Sequence, residues 1–534
     1  MFLILKKYFY KFFILFFIKK NLQKQLNREK FLKIKKNKKR ILVPLIESNH
    51  YQVFQILLIA KALELRGAEV KVLLCGGTLQ GCEIKSVKTV NEKNPCWKCK
   101  FNDIHLVKQF NLDVIYINDL LNRSDLQKIN KISKISNLKE IKRENNYNLL
   151  QIVQDSVVRY FYGNTNIDKN LKIIKNHYNT ALKILLVSKK LFKTFNPNII
   201  LNNMQSYSSF APLFLYFKKK HIKCCTLTMT AFNHRALVYN LFELLVSKKR
   251  YLNYLKATKP KKLSKKENNE LDAYLAKRFS GEDEHLNQYK YMNSKFLELK
   301  KDYLDQKIYK NKKKIKIFMF TNLHWDIGID ESKKNVFKNM NQWVFDTINF
   351  FSKRKQYHLF IKPHPIETNA KYQTLHTVED VIRLRYKKIP DNITILKNKS
   401  KFNIFKYKNQ IDLCLTYTGT LGLEMLLNKK KVIAAGNAPY NFLTPRFSSK
   451  NQYYNLILNY KKIKNPSIED VRCFAYFFFI KTPIPWTLSD KIYAQSTGKF
   501  NFSSIEDLMP GKNFYFDHLL DVILKKNIIP ESWN

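Results

Sequence analysis

An apolar run at Ile41–Ile46 (ILVPLI) is followed by helical apolar spacing over Gln52–Arg66 and by a second apolar run at Val70–Leu74. Phe54, Leu57, Leu58, Ala62 and Leu65 fall on one face of that helix. Gly67 comes next, the residue type that most readily ends a helix in the left-handed conformation. Strand, helix and strand within about 35 residues make a βαβ unit. Strands joined by such a crossover run parallel. Parallel sheets are covered on both faces, so their strands read as unbroken apolar runs rather than as alternations.

The pattern recurs. Strands are expected at Asp113–Ile117, Asn198–Asn202 and Cys224–Met229, with a long helix at Leu171–Phe195. From 246 to 313 the chain is polar and rich in Lys, and is expected to form charged helices without a core of their own. Lys314 opens a second series: strands at Ile315–Phe320, Tyr357–Ile361, Asn392–Leu396, Ile411–Leu415 and Lys431–Ala434, with helices at Asn339–Phe351 and Leu421–Leu427. The expected fold class is therefore α/β, two Rossmann-like doubly wound domains facing a cleft. The expected organisation is a basic N-terminal helix (1–39), a first domain (40–245), the charged linker (246–313), a second domain (314–480) and a helical tail (481–534). In such folds ligands sit beyond the carboxyl ends of the strands.

Charge narrows the partners. The chain carries 96 Lys and Arg against 42 Asp and Glu, a net +54. Clustered cations bind nucleic acid by releasing phosphate counterions. Here Lys is spread along the whole chain, together with abundant Asn, Ile, Phe and Tyr, which argues against a nucleic-acid footprint. An anionic membrane surface or an anionic substrate suits the charge at least as well. The start, MFLILKKYFYKFFILFFIKKN, has an apolar run at Phe12–Ile18 broken upstream by Lys6, Lys7 and Lys11. That is short of the ~20 apolar residues of a spanning helix. No small-residue cleavage site follows. Two readings stand for it: an anchor lying in the membrane interface, or an ordinary basic first helix. The expected location is the cytoplasm, peripheral at the inner face of the cytoplasmic membrane.

Chemistry-bearing residues lie just after strands. Thr416-Tyr417-Thr418-Gly419-Thr420 leads from a strand into a helix carrying Glu424 in its first turn. Gly419 allows close backbone approach, Thr418 and Thr420 offer hydroxyls, and Glu424 is placed to accept from ribose hydroxyls. This is an anion cradle suited to a nucleotide phosphate, and also a pattern that an ordinary helix cap would show. It is not a Walker A loop, because no Gly-Lys-Ser/Thr follows. Lys362-Pro363-His364-Pro365-Ile366-Glu367 follows another strand. Prolines on both sides give His364 a defined direction, as phosphate donor or general acid. Lys362 adds charge and Glu367 orients partners. Asn322, His324 and Asp326 follow a third strand, with Asn322 as a binding group and Asp326 as a candidate base. In the first domain Glu47 and His50 are candidate bases for an acceptor hydroxyl, on a loop that also reads as a helix cap.

Cys82, Cys96 and Cys99 form C-x13-C-x2-C, a spacing compatible with a structural zinc or with free thiols. His105 is a candidate fourth ligand. Cys224, Cys225, Cys414 and Cys473 lie in apolar segments and read as core, as do the aromatics at Phe474–Phe479.

KPHPIE, TYTGTLGLEMLLNKKKVIAAGNAPY, FTNLHWD and ESNHYQVFQILLIAKALELRGAEVKVLLC resemble segments of bacterial capsule and surface-polysaccharide glycosyltransferases of the GT-B type. The likeness covers most of 41–479 and is strongest in the second domain. The His-Pro pair is also similar to that of transferases using CMP-activated acid sugars. That resemblance maps His364 and Pro365 to the nucleotide-phosphate element, and Thr418 and Thr420 to the hydroxyl element. Where those transferases carry an adjacent hydroxyl pair, this chain has Thr-Gly-Thr. It implies a CMP- or UDP-linked donor sugar, a glycan or lipid-linked acceptor, and no required metal cofactor. Rival expectations are a CDP-glycerol or ribitol-type glycerophosphotransferase, a nucleotide-sugar epimerase and a non-enzymatic basic binding protein.

Overall fold

The computed structural model describes residues 39–46, 50–86, 96–102, 107–141, 147–163, 170–230, 235–240, 248–258, 262–280, 308, 310–325, 336–364, 367, 374–396, 404–489 and 505–524. The basic N-terminal segment 1–38, Glu47, His105, Asp326 and Pro365 lie outside them. His50 is the first residue of a helix, and its side chain also lies outside them. Two compact units are present: of the described residues, those within 39–160, 170–240 and 483–524 belong to one, and those within 161–163 and 248–482 to the other.

The first unit is built on β1 (Arg40–Leu45), β2 (Glu69–Leu74), β3 (Asp113–Tyr116), β4 (Ile199–Asn202), β5 (Lys223–Thr230) and β6 (Arg235–Asn240). Its sheet runs β3-β2-β1-β4-β5-β6, and the short strand Ile484–Pro485 extends it beyond β6. The first five strands are mutually parallel. β6 and Ile484–Pro485 add two antiparallel pairings that apolar patterning does not predict. The order 3-2-1-4-5 is that of doubly wound nucleotide-binding sheets, with its switch point between β1 and β4.

Central β1 contains Pro44, which a central strand usually forbids. Arg40 O accepts from Asn198 N–H on the β4 side, and Lys39 O accepts from Glu69 N–H on the β2 side. Alternation turns the Pro44 nitrogen toward β4, whose pairing with β1 is registered only at Ile41 and Leu42. The missing N–H therefore falls past the end of that ladder. Helix α1 (His50–Glu64) buries nearly every residue from Val53 to Leu63. It ends at Gly67, whose φ of 83° is the left-handed stop expected from the sequence. α3 (Leu171–Thr194) and α4 (Tyr207–Lys219) pack on the sheet, and α2 (Leu149–Tyr160) packs on those two helices. Ile184, Val187 and Leu191 of α3 join Phe210, Leu213 and Phe214 of α4 in one core with Leu42 and Ile200.

In the second unit α5 (Lys248–Thr258) and α6 (Lys265–Ser280) precede β7 (Ile315–Phe320), α7 (Met340–Ser352), β8 (Tyr357–Lys362), α8 (Val378–Arg385), β9 (Ile393–Ile395), β10 (Leu413–Thr416), α9 (Leu421–Leu427), β11 (Val432–Ala434), α10 (Lys450–Leu458) and α11 (Ile468–Tyr476). The sheet order is β11-β10-β7-β8-β9, every pairing parallel. Counted within the unit this is again 3-2-1-4-5, with its switch point between β7 and β10. β8 buries all six residues, as a strand covered on both faces must.

α5 and α6 come from the Lys-rich stretch expected to lack a core, yet both pack into this unit. Tyr251 and Tyr254 of α5 meet Phe474 and Phe477, and Tyr274 of α6 meets Phe479. Polar flanks mask the few apolar positions that do this, Leu271, Tyr274 and Leu275. The Phe474–Phe479 aromatics are buried, as expected. Among the described residues no helix is long and apolar enough to cross a membrane.

Candidate functional site

At the switch point of the second unit the loops after β7 and β10 are tied together. Thr418 N–H donates to Asn322 Oδ1 at 3.2 Å. Thr321, one residue earlier, is buried and its N–H donates to Lys362 O at the end of β8. The Thr321 hydroxyl has no hydrogen-bond partner among the described residues. Lys362 closes β8 almost wholly buried, and burial pulls its ammonium down to about 8, Glu367 opposing the shift. His364 follows, partly exposed. Three strand ends thus gather Thr321, Asn322, Lys362, His364 and Thr418 at the edge where doubly wound sheets hold ligands.

The loop from Thr416 to Thr420 is braced throughout. Tyr417 is buried against Trp343, ring centroids 5.4 Å apart. Tyr440 donates its hydroxyl to Gly419 O at 2.6 Å and lies 3.1 Å from Thr416 Oγ1. Gly422 is required by space: a Cβ there would lie 2.1 Å from the Tyr440 oxygen. α9 has only seven residues, so the loop's backbone and hydroxyls, more than any helix field, define this cradle.

The structure separates the two threonines. Thr418 is partly exposed and linked through its N–H to Asn322. Thr420 does not cap its own helix, and its hydroxyl donates to Glu424 Oε1 at 3.2 Å. Glu424, expected to reach ribose hydroxyls, is buried and holds Arg278 of α6. Glu367 is wholly buried and accepts the Val378 N–H at 3.3 Å at the start of α8. It places a negative charge at the positive, N-terminal end of that helix.

His324 is likewise turned inward. Its Nε2–H donates to Gly163 O at 3.0 Å, burial lowers its basicity, and Trp325 Nε1–H donates to Thr374 Oγ1 at 2.8 Å. Gly163 has a φ of 102°, and a Cβ on it would strike His324 Nε2 at 2.3 Å. The binding potential of the FTNLHW segment therefore rests in Asn322.

Arg278 and Tyr440 were not singled out in the sequence. Arg278 is one cation in a Lys-rich run, and Tyr440 one of 30 tyrosines. In the first unit α2, α3 and α4 share a buried polar cluster that no sequence motif marks. His177 Nδ1 lies 2.7 Å from Ser208 Oγ, and Ser208 N–H donates to Ser156 Oγ at 2.8 Å. Full burial holds His177 neutral, its basicity lowered to about 3.

Cys75, Cys224, Cys225, Cys414 and Cys473 are buried free thiols. Cys224, Cys225 and Cys414 are buried and their thiols pushed up by burial, Cys225 to about 11, as core positions require. Among the described residues no three His, Cys, Asp or Glu side chains are arranged to hold a metal ion, Cys82, Cys96 and Cys99 included.

No described protein family matches the chain, and no curated relative matches it. Solved structures do. A Thermosulfurimonas dismutans KpsC, a beta Kdo 2,4 transferase, is similar at 10% identity and a TM-score of 0.34, over 58% of this chain and 87% of that one. Anabaena Alr3699/HepE in complex with UDP and glucose is similar at 12% identity and 0.25, over 83% and 95%. The Neisseria meningitidis UDP-GlcNAc 2-epimerase bound to UDP-GlcNAc is similar at 10% identity and 0.22, over 83% and 100%. At such identities and TM-scores none of their properties transfers to this chain. The α/β class rests on the two strand orders themselves.

Proposed function

We propose that the chain is a glycosyltransferase of the GT-B type, moving a sugar from a CMP- or UDP-linked donor to a growing surface polysaccharide or lipid-linked glycan. The observation that carries this reading is the Asn322–Thr418 bond, which ties two loops across the switch point beside Lys362. A buried cation, an unpartnered hydroxyl and a fixed backbone loop at one sheet edge suit a phosphate-bearing ligand. The motif resemblance in the same loops adds the sugar.

In this reading Thr418, Gly419, Lys362 and Asn322 hold the nucleotide phosphate. His364, steered by Pro363 and Pro365, protonates or hydrogen-bonds the leaving phosphate oxygen. Glu47, His50 or Asp326 takes the proton of the acceptor hydroxyl. The acceptor oxygen then bonds to the anomeric carbon while the carbon–oxygen bond to phosphate breaks, and the nucleotide leaves with that electron pair. Charge on the leaving group is met by Lys362 and His364, so the reading requires no metal in this step. The basic, aromatic segment 1–39 would hold the protein on the anionic inner face of the cytoplasmic membrane.

The test is a thermal-shift panel of CMP, UDP, GDP, CDP and ADP on the full chain, repeated with His364→Ala. The expected result is a selective shift by CMP or UDP that the variant loses. CDP-selective binding with turnover of CDP-glycerol would favour the glycerophosphotransferase instead.

A further inference from the structure

We propose that Arg278 is a positioning residue for the nucleotide loop, making ligand affinity at Thr418–Thr420 depend on the docking of α6. The ligand named here rests on the functional reading above; the bracing of the loop does not.

The guanidinium places Nε 2.8 Å and Nη2 2.7 Å from Glu424 Oε1, with Nη2 also donating to Thr420 Oγ1 at 3.0 Å. Nη1 reaches Tyr274 Oη at 3.3 Å, and the cation lies 5.2 Å from the Phe479 ring centroid. The two charged side chains are only 7% and 6% exposed. A planar fork can satisfy these partners at once, and a lysine ammonium on a single stem cannot.

Two consequences follow for the loop. Thr420 is pinned from outside its own helix, so the direction of Thr418 and Gly419 is set by a residue 142 positions away in sequence. Arg278 also cancels the charge of Glu424. Alone, that carboxylate would sit buried within one turn of the loop and repel any phosphate bound there. α6 in turn is held by α11: Arg472 pairs with Asp272 at 2.8 Å and donates to Asn268 Oδ1 at 2.8 Å, and Tyr476 donates to Glu270 at 3.1 Å. Ligand binding and α6 docking are therefore linked, each favouring the other.

The experiment compares the full-length wild type with Arg278→Ala, Arg278→Lys, Glu424→Gln and the double variant R278A/E424Q. Calorimetry reads affinity for the nucleotide that the wild type prefers, and hydrogen exchange without ligand reads the amides of 418–424. R278A is expected to lose at least about tenfold in affinity, with faster exchange over 418–424. R278K is expected to fall between it and wild type. R278A/E424Q is expected to bind more tightly than R278A, because the uncompensated carboxylate is gone; a residue that merely stabilises the fold gives no such recovery. If R278A does not fold, R278K carries the test, with weaker binding and faster loop exchange expected. A folded R278A, or failing it R278K, with wild-type affinity and wild-type loop exchange overturns the proposal. If the wild type binds no nucleotide, the functional reading fails, and exchange over 418–424 alone decides whether Arg278 positions the loop.

Discussion

Asn322 and Thr418 sit at the ends of the two strands flanking the switch point of the second unit, and the 3.2 Å bond between them joins loops 96 residues apart in sequence. The side chain of one loop thereby fixes the backbone of the other. Asn322→Ala should leave the fold intact and loosen the Thr418 amide. One such bond is worth about 1 kcal/mol, roughly fivefold in affinity. Calorimetry with the preferred nucleotide checks this, and wild-type affinity in N322A would remove Asn322 from the site.

Lys362 supplies a pH signature. Its folded-state value of about 8 lies below its ordinary 10.5 because burial disfavours the ammonium. Between those values the unfolded chain holds a proton that the folded protein lacks. Stability contributed by this group therefore rises with pH across that window, by at most about 1.4 kcal/mol per pH unit. Phosphate affinity runs the opposite way and falls as pH rises through about 8, since only the ammonium attracts an anion. Lys362→Met should abolish both slopes. Denaturant titrations and calorimetry at pH 7, 8 and 9 read them, and slopes surviving in K362M would assign them elsewhere.

Glu367 separates stability from binding. Its buried carboxylate meets the first turn of α8, so Glu367→Gln should cost about 1 kcal/mol of stability. It should leave nucleotide affinity at pH 7 within twofold. A loss of affinity beyond the loss of stability would make Glu367 a ligand group after all.

Gly422 tests the brace behind the loop. An alanine methyl would collide with the Tyr440 hydroxyl and push it off Gly419 O. Gly422→Ala should destabilise by about 1–3 kcal/mol, as overpacked sites do. The double variant G422A/Y440F should recover part of that by removing the nearest atom. Thermal melts of the four proteins close the cycle, and additive losses would mean that Tyr440 is not what the methyl meets.

Why some of this was legible in the sequence and some was not has a physical cause. β1 and β10 are short apolar runs, and β7 and β8 are apolar runs interrupted only by Lys316 and His358 before Lys362 closes β8; burial on both faces of a parallel sheet writes that pattern directly. β6 and Ile484–Pro485 are antiparallel additions at one end of the sheet, the outer one joined by a late return of the chain, and no local pattern encodes such a return. The loops after β7, β8 and β10 were found because ligand loops follow strands. Which side chain in each loop faces outward was not legible. His324 and Asn322 differ by two positions, yet one is spent on Gly163 and the other on Thr418. Arg278 is hidden for the opposite reason: in a Lys-rich run, what sets this cation apart is its partners Thr420 and Glu424, more than 140 positions away in sequence.

We propose that the second unit binds an activated nucleotide through the loops at Lys362–His364 and Thr418–Thr420. The thermal-shift panel of CMP, UDP, GDP, CDP and ADP, with wild type beside His364→Ala, tests it most directly. The expected result is a shift confined to CMP or UDP in the wild type and its loss in a variant that melts normally without ligand. No shift from any nucleotide in the folded wild type, or the same shift in H364A, would contradict it.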